Sequence, residues 1–73
     1  MEFKELFIKE DFIRLDSAMK LAGIVSTGGH AKMVIKEGLV QVCGNICTQR
    51  GKKLYKNDTF IFENEGFIIK WEF

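Results

Sequence analysis

The chain has 73 residues, the size of a single domain near the lower limit at which one hydrophobic core stabilises a fold. Its residues are 47% hydrophobic and 12% aromatic, which excludes a disordered chain and predicts one compact soluble domain over residues 1–73. The net charge of +1 does not indicate a partner, and the apolar runs are too short to predict a membrane span or a secretory signal.

The first elements predicted along the chain are a strand and a short helix. Phe3–Lys9 mixes apolar and charged residues, and this pattern favours a strand, with a loose arm as the alternative. A helix is expected next, because apolar residues recur at helical spacing at Leu15, Ala18, Met19 and Ala22. We expect Asp16 or Ser17 to cap the start of this helix and Gly23 to end it.

A second helix is expected from Ser26 or Thr27 to Glu37. Ser26 and Thr27 are both favourable N-cap residues, and the helix should run to Glu37 and stop at Gly38. The two helices are separated by only a few residues, so we expect them to form a helical hairpin.

Two adjacent glycines, Gly28 and Gly29, lie in the first turn of the second helix, although glycine destabilises a helix by about 0.5–1 kcal/mol relative to alanine. A helical projection places Lys32 and Lys36 on their side and the apolar residues on another. The unpaired N–H groups and the helix dipole at this end favour an anion. The missing side chains therefore predict a phosphate site beside the N-cap hydroxyls. Tight packing of another element against the glycines is the structural alternative.

The pattern changes from helical to alternating after the second helix. Leu39–Cys43 and Ile46–Gln49 flank Gly44 and Asn45, and this arrangement predicts a β-hairpin with its turn at those two residues. Cys43 and Cys47 are too few for a disulfide framework and lack the second pair typical of a zinc site. We therefore expect small apolar side chains in a hairpin and a reduced, cytoplasmic setting, with no cofactor.

A second β-hairpin is predicted near the end of the chain. Thr59–Glu63 and Phe67–Glu72 flank a turn expected at residues 64–66. The aromatic residues of these strands are expected in the core rather than stacked on bases, because so small a fold needs its aromatic side chains inside. They are Phe60, Phe62, Phe67 and Trp71.

The positive charge is concentrated in the middle of the chain. Residues 12–57 carry a net charge of +6, whereas residues 1–11 carry −2 and residues 58–73 carry −3. Such segregation is typical of a surface that binds a polyanion, although charges that merely cluster on a solvated face are an equal alternative. Half of these cations lie in a segment that we call the basic loop and expect to be flexible, Arg50–Lys56. Its charged members are Arg50, Lys52, Lys53 and Lys56.

A set of residues in the central part of the chain resembles the S4-like RNA-binding domain, also called the alpha-L motif. The resemblance extends from about Phe12 to Asp58. It rests on Arg14-Leu15-Asp16, Leu21, Gly23, Ser26-Thr27, Ala31-Lys32, Ile35, Gly38, Val40-Gln41-Val42 and Gly44. The glycine pair before Ala31-Lys32 and the run Arg50-Gly51-Lys52-Lys53-Leu54 are most similar to the small free-standing bacterial members of the YaaA/YbcJ type.

The resemblance implies an α+β fold with two short packed helices against a small, mostly antiparallel sheet. It also implies a non-catalytic protein that binds structured RNA, either ribosomal or transfer RNA, with the ribosome as one conceivable target. Carried over by position, the residues that would face RNA are Arg14, Lys20, Ser26, Thr27, Lys32, Lys36 and the basic loop. Two departures stand out: Gly28 replaces an arginine common in the family, and Cys43 precedes the hairpin glycine Gly44.

Two other classes of function are alternatives to RNA binding. An enzyme is not expected, because the few cysteine, histidine and acidic residues do not assemble a nucleophile with its base. A protein-interaction module is the stronger alternative, because phenylalanine-rich ends could leave an apolar patch or an open strand edge. The aromatic residues concerned are Phe3, Phe7, Phe67, Trp71 and Phe73. For an RNA-binding module of this size we expect a monomer.

Overall fold

A computed structural model describes residues 2–73, which form seven strands and two helices. In chain order these are β1 (Phe3–Ile8), β2 (Phe12–Arg14), α1 (Leu15–Leu21), α2 (Gly28–Lys36), β3 (Val40–Val42), β4 (Asn45–Ile46), β5 (Lys53–Tyr55), β6 (Thr59–Phe62) and β7 (Glu65–Trp71). Five strands form one sheet in the order β1-β7-β6-β3-β4, in which only β1 and β7 are parallel. The predicted α+β fold with a mostly antiparallel sheet is confirmed.

Helix α1 begins without a side-chain cap. Its first residue is Leu15, so the prediction that Asp16 or Ser17 caps the helix is wrong. The reason is a backbone contact from a distant segment: the N–H of Leu15 donates to the Lys52 carbonyl at 2.8 Å, and that of Asp16 donates to the Arg50 carbonyl at 3.1 Å. Two of the unpaired donors at this helix end are thereby satisfied.

Helix α2 begins at the second of the two caps that its sequence predicts, Ser26 or Thr27. Thr27 is the N-cap, and its Oγ1 accepts a hydrogen bond from the backbone N–H of His30 at 3.0 Å. The helix ends at Lys36, one residue before the predicted end. Gly38 then takes a φ of +77°, a left-handed conformation that glycine adopts without steric penalty.

Replacing Thr27 by alanine is expected to lower the free energy of unfolding by about 0.5–2 kcal/mol, because the N–H of His30 loses its partner. Ser26→Ala is the matched control: Ser26 is exposed and precedes the cap, so its replacement should change stability by less than about 0.5 kcal/mol. Urea unfolding followed by Trp71 fluorescence measures both. Equal losses in the two variants would show that Thr27 is not the cap.

Both hairpin turns begin one residue earlier than predicted, and the second has two residues where three were expected. The β3–β4 turn has Cys43 and Gly44 at its centre, with φ values of +50° and +87°. The β6–β7 turn has Glu63 and Asn64 there, with φ values of +52° and +65°. Two-residue turns with positive φ match the twist of the strands they join. Cys43 is therefore an exposed turn residue, which corrects its assignment as a small apolar residue of the hairpin.

A separate two-stranded ribbon was not predicted from the sequence. Strands β2 and β5 pair antiparallel, with Ile13 opposite Leu54. The basic loop is therefore not flexible throughout, because Lys53–Tyr55 is strand β5. Leu54 is completely buried and Ile13 packs against the core, so burial of these two side chains holds the ribbon to the domain.

The core lies between one face of the sheet and the two helices. Phe60 and Phe67 are buried in it and stack with ring centroids 5.2 Å apart. Of the predicted core aromatics, Phe60, Phe62 and Phe67 are buried, whereas Trp71 is half-buried and donates from Nε1 to the Asp11 carbonyl at 3.2 Å. No helix formed by residues 2–73 combines the length and apolar character needed to cross a membrane.

Candidate nucleic-acid interface

The start of helix α2 is bare backbone. A Cβ added at Gly28 would find no heavy atom of residues 2–73 within 4 Å beyond its chain neighbours and its own helix, and at Gly29 it would meet only Thr27 Oγ1, at 3.9 Å. Both glycines are exposed. No other element packs on this turn, so the tight-packing alternative does not explain the glycine pair. Of the first-turn N–H groups, that of His30 is bonded to Thr27 Oγ1, whereas those of Gly28 and Gly29 make no hydrogen bond among residues 2–73.

Next to this helix is a shallow surface depression that we call the basic groove. It has a volume of about 340 Å³ and is lined by Lys32, Lys36, Thr48 and Arg50. The two lysines are one helical turn apart on the exposed side of α2, as their spacing predicts. Arg50 comes from the segment after the first hairpin, so the fold brings together cations that are 14 or more residues apart in the sequence.

The backbone that carries Arg50 is fixed by the start of α1. The carbonyls of Arg50 and Lys52 accept the hydrogen bonds from Asp16 and Leu15 described above, and the Lys52 N–H donates to the Gln49 carbonyl at 3.1 Å. These contacts hold the first half of the basic loop against the helical hairpin. The position of Arg50 relative to α2 is therefore set by the packing of the domain.

Arg14, the last residue of β2, lies beside the segment that carries Arg50. Its Nη2 is 3.1 Å from Asp16 Oδ2, and it is 3.6 Å from the position that a Cβ would occupy at Gly51. The guanidinium therefore lies beside the loop backbone at Gly51, at a distance where an added Cβ would make ordinary van der Waals contact with it. About half of the Arg14 side chain remains exposed, so part of its charge is available to a ligand.

The remaining predicted cations lie outside the groove. Lys52 lines a second depression of about 430 Å³ together with Cys43 and Asp58. Lys53 Nζ lies 4.9 Å from the ring centroid of Phe12, and Lys56 Nζ lies 5.4 Å from that of Trp71. Lys20, in the last turn of α1, and Ser26, before the cap, are exposed and line neither depression.

Sequence reasoning missed three residues near these cations. Thr48 lines the basic groove, and Phe12 and Tyr55 are exposed on the β2–β5 ribbon. An alternating pattern was present in each strand, Phe-Ile-Arg and Lys-Leu-Tyr, with the apolar middle residue buried or half-buried. That pattern of period two could have indicated the ribbon, whereas no local signal indicates Thr48.

The surface offers cations and backbone donors but few groups for covalent chemistry. Within residues 2–73 no charged or polar side chain is buried, and no cluster of three His, Cys, Asp or Glu could hold a metal ion. Both cysteines are free thiols: Cys43 Sγ is 3.7 Å from Asp58 Oδ1, and Cys47 Sγ is 3.6 Å from the Gln49 carbonyl. Such a surface is suited to the electrostatic binding of an anion.

The phenylalanine-rich ends are only partly on the surface. Phe67 is buried and Trp71 is half-buried, so neither contributes as expected to an exposed patch. Phe3 and Phe7 are 39% and 51% exposed on β1, an edge strand of the sheet. Phe73 is 68% exposed and stacks on Trp71 with ring centroids 4.9 Å apart.

Fold and sequence together define the class of protein. The family model described as the S4 domain matches residues 6–70, nearly the whole chain, and the protein belongs to this family. Among curated proteins, the chain is similar to the "Probable ribosome maturation protein RlbA" of Bacillus subtilis (strain 168). The two are 38% identical over 60 residues, which cover 82% of each chain.

Proposed function

We propose that this S4-domain protein is a non-catalytic RNA-binding protein that recognises structured RNA through the basic groove and the bare start of α2. Phosphates of the RNA backbone lie in the groove against Lys32, Lys36 and Arg50, and a neighbouring phosphate accepts hydrogen bonds from the first-turn N–H groups at Gly28 and Gly29. Such contacts recognise the course of a folded RNA backbone more than the edges of its bases.

The observation that carries the proposal is the convergence of three cations in one groove along α2, a helix whose N-terminal turn is unobstructed. Lys32 and Lys36 belong to α2, whereas Arg50 is positioned by backbone hydrogen bonds to α1. None of the three makes an ion pair among residues 2–73, so their charges are available to phosphates. Release of counterions from the RNA then supplies most of the binding free energy.

Ribosomal RNA is the target that we infer, with transfer RNA as the other structured candidate. The curated relative carries a ribosome maturation name, and the alignment covers most of both chains. A protein that acts on ribosomal RNA in this way works in the cytoplasm and needs no cofactor. Its remaining predicted contacts, at Arg14, Lys20, Lys52, Lys53 and Lys56, would extend the cationic surface beyond the groove.

Crosslinking in cells tests this function directly. Ultraviolet crosslinking, purification of the tagged protein and sequencing of the attached nucleic acid should recover ribosomal RNA fragments clustered at a few sites. A variant with alanine at Lys32, Lys36 and Arg50 should lose most of the crosslinked RNA. Recovery of DNA, or of RNA in equal amounts from both proteins, would contradict the proposal.

The glycine pair gives a prediction in which stability and affinity change in opposite directions. Gly28→Ala should raise the free energy of unfolding by about 0.5 kcal/mol, since the site is helical and the added Cβ meets no neighbour. The same Cβ keeps a phosphate from the backbone, so RNA affinity should fall by roughly three- to tenfold. Fluorescence anisotropy and urea unfolding measure the two effects. Unchanged affinity in a stabilised variant would show that no phosphate approaches Gly28.

Docking of another protein on β1 is the alternative function, and the exposure of Phe3 and Phe7 on an edge strand favours it. Multi-angle light scattering distinguishes the two cases for self-association. A monomer whose RNA binding is unaffected by Phe7→Ala supports the RNA-binding function. A dimer that dissociates in the same variant supports docking through the strand edge.

A further inference from the structure

The β2–β5 ribbon has an outer face that the core does not use. Phe12 pairs with Tyr55 and Arg14 pairs with Lys53 in the antiparallel register. Residues opposite each other, and residues two apart along a strand, project from the same face of a ribbon. These four side chains therefore share one face, which we call the ribbon face, while Ile13 and its partner occupy the other.

The rings on the ribbon face are accessible and lie next to positive charge. Phe12 is 38% exposed and Tyr55 is 46% exposed, and their ring centroids are 5.8 Å apart with planes tilted by 47°. The ammonium of Lys53 is 4.9 Å from the Phe12 centroid. The four side chains of the face thus include two aromatic rings and two cations, without a carboxylate. Two carboxylates lie beside the ribbon: Asp16 pairs with Arg14 from the start of α1, and Asp58 accepts a hydrogen bond from the backbone N–H of Tyr55 at 2.8 Å.

The ribbon face is close to the basic groove along the chain. Arg50 lines the groove and Lys53 belongs to the ribbon, and three Cα–Cα steps of about 3.8 Å limit their separation to about 11 Å. Arg14 lies beside Gly51, which is between Arg50 and Lys53 in the sequence. An RNA strand that leaves the groove along this segment therefore reaches the two rings within one or two nucleotides.

We propose that the ribbon face is a stacking platform for an unpaired base of the bound RNA, formed by Phe12 and Tyr55. This inference rests on the proposed function, because the groove must first bind the RNA backbone. A nucleotide is the occupant whose chemistry matches the face: its base stacks on an aromatic ring, and its phosphate pairs with Lys53 or Arg14. Stacking of this kind tolerates any base, so the platform selects unpaired strands rather than a sequence.

The test changes the RNA and leaves the protein intact. Two fluorescently labelled RNA hairpins carry the same single-stranded tail, one with adenine bases and the other with abasic sugars, so that their phosphate charges are equal. Anisotropy titrations of the wild-type protein should show that the adenine tail binds about 5- to 100-fold more tightly than the abasic tail. Equal affinities for the two tails would overturn the inference.

A double variant, Phe12→Leu with Tyr55→Leu, assigns the effect to the ribbon face. Both positions stay apolar and no charge changes, and Trp71 fluorescence verifies that the variant is folded. It should bind both tails with the affinity that the wild-type protein has for the abasic tail. A folded variant that still prefers the adenine tail would overturn the inference.

The groove variant with alanine at Lys32, Lys36 and Arg50 distinguishes a failure of the stacking platform from a failure of the RNA-binding function. If it weakens binding of both hairpins while the wild-type protein does not distinguish the tails, the stacking platform is wrong and the RNA-binding function stands. If the wild-type protein and this variant bind both hairpins equally, the groove is not the RNA site and both proposals fail.

Discussion

Simultaneous replacement of Lys32, Lys36 and Arg50 by alanine is expected to weaken binding of structured RNA by about 100- to 500-fold near 0.1 M salt. Each phosphate contact that releases a counterion contributes about 0.7–0.9 to the slope of log affinity against log salt. When the salt concentration is tenfold below 1 M, three such contacts therefore raise the affinity by a factor of roughly 10² to 10³. The three side chains line one groove, so we expect their losses to act on one RNA strand.

A charge-matched control separates the groove from net charge. Alanine at Lys4, Lys9 and Lys70 removes the same three charges, taking the net charge from +1 to −2 as the groove variant does. Lys4 lies in β1, the edge strand opposite β4, Lys9 follows that strand, and Lys70 lies in the neighbouring strand β7. This variant should lose less than about tenfold in affinity. Equal losses of RNA affinity in the two variants would mean that binding depends on the overall charge of the protein and not on the groove.

Phe60→Ala is expected to have the largest effect on stability, lowering the free energy of unfolding by about 3–5 kcal/mol. Phe60 is completely buried on β6, between β3 and β7 in the sheet, and its ring stacks on Phe67. A domain of this size has a total stability of roughly 4–11 kcal/mol, so the variant should lose between about a quarter and all of it. Urea unfolding followed by Trp71 fluorescence, and loss of the cooperative thermal transition, measure the effect.

Phe7→Ala is the matched control for Phe60. Both residues are phenylalanines of the same sheet, but Phe7 is 51% exposed on the edge strand β1. Its replacement should lower stability by less than about 1 kcal/mol. A loss at Phe7 as large as the loss at Phe60 would show that β1 is covered by an element or a second copy that the fold of one chain does not reveal.

The helices and hairpins could be predicted because their signals are local. Apolar spacing and two capping residues before the glycine pair predicted α2 with its cap at Ser26 or Thr27, and the structure has Thr27. The start of α1 could not be found in this way, because its first N–H groups are satisfied by Arg50 and Lys52, more than 30 residues along the chain. A helix cap that comes from a distant backbone segment gives no sequence signal in the residues around Leu15.

The turns show how sheet register can override local preference. Asparagine and glycine around positions 64–66 favoured a turn there, but Gly66 lies opposite Ile61 within the β6–β7 ladder. Keeping Phe60 opposite Phe67 in the core fixes that register, so Glu63 and Asn64 must take the left-handed turn conformation. In the β3–β4 hairpin, pairing of Val42 with Asn45 likewise leaves two residues for the turn.

The basic groove was predicted in part. Helical spacing indicated that Lys32 and Lys36 share the exposed side of α2, and the glycine pair indicated open backbone beside them. Arg50 appeared only as one cation of a loop, because its place in the groove depends on the hydrogen bond between its carbonyl and the N–H of Asp16. Tertiary contacts of this kind cannot be inferred from periodicity.

The salt dependence of RNA binding tests most directly whether phosphates occupy the basic groove and the adjoining cations. We expect log affinity of the wild-type protein for a structured ribosomal RNA fragment to fall with log salt at a slope of about −3.5 to −4.5, as for five cations at phosphates. These would be Lys32, Lys36 and Arg50 of the groove with Arg14 and Lys53 beside it. A slope near zero would contradict RNA binding by this surface.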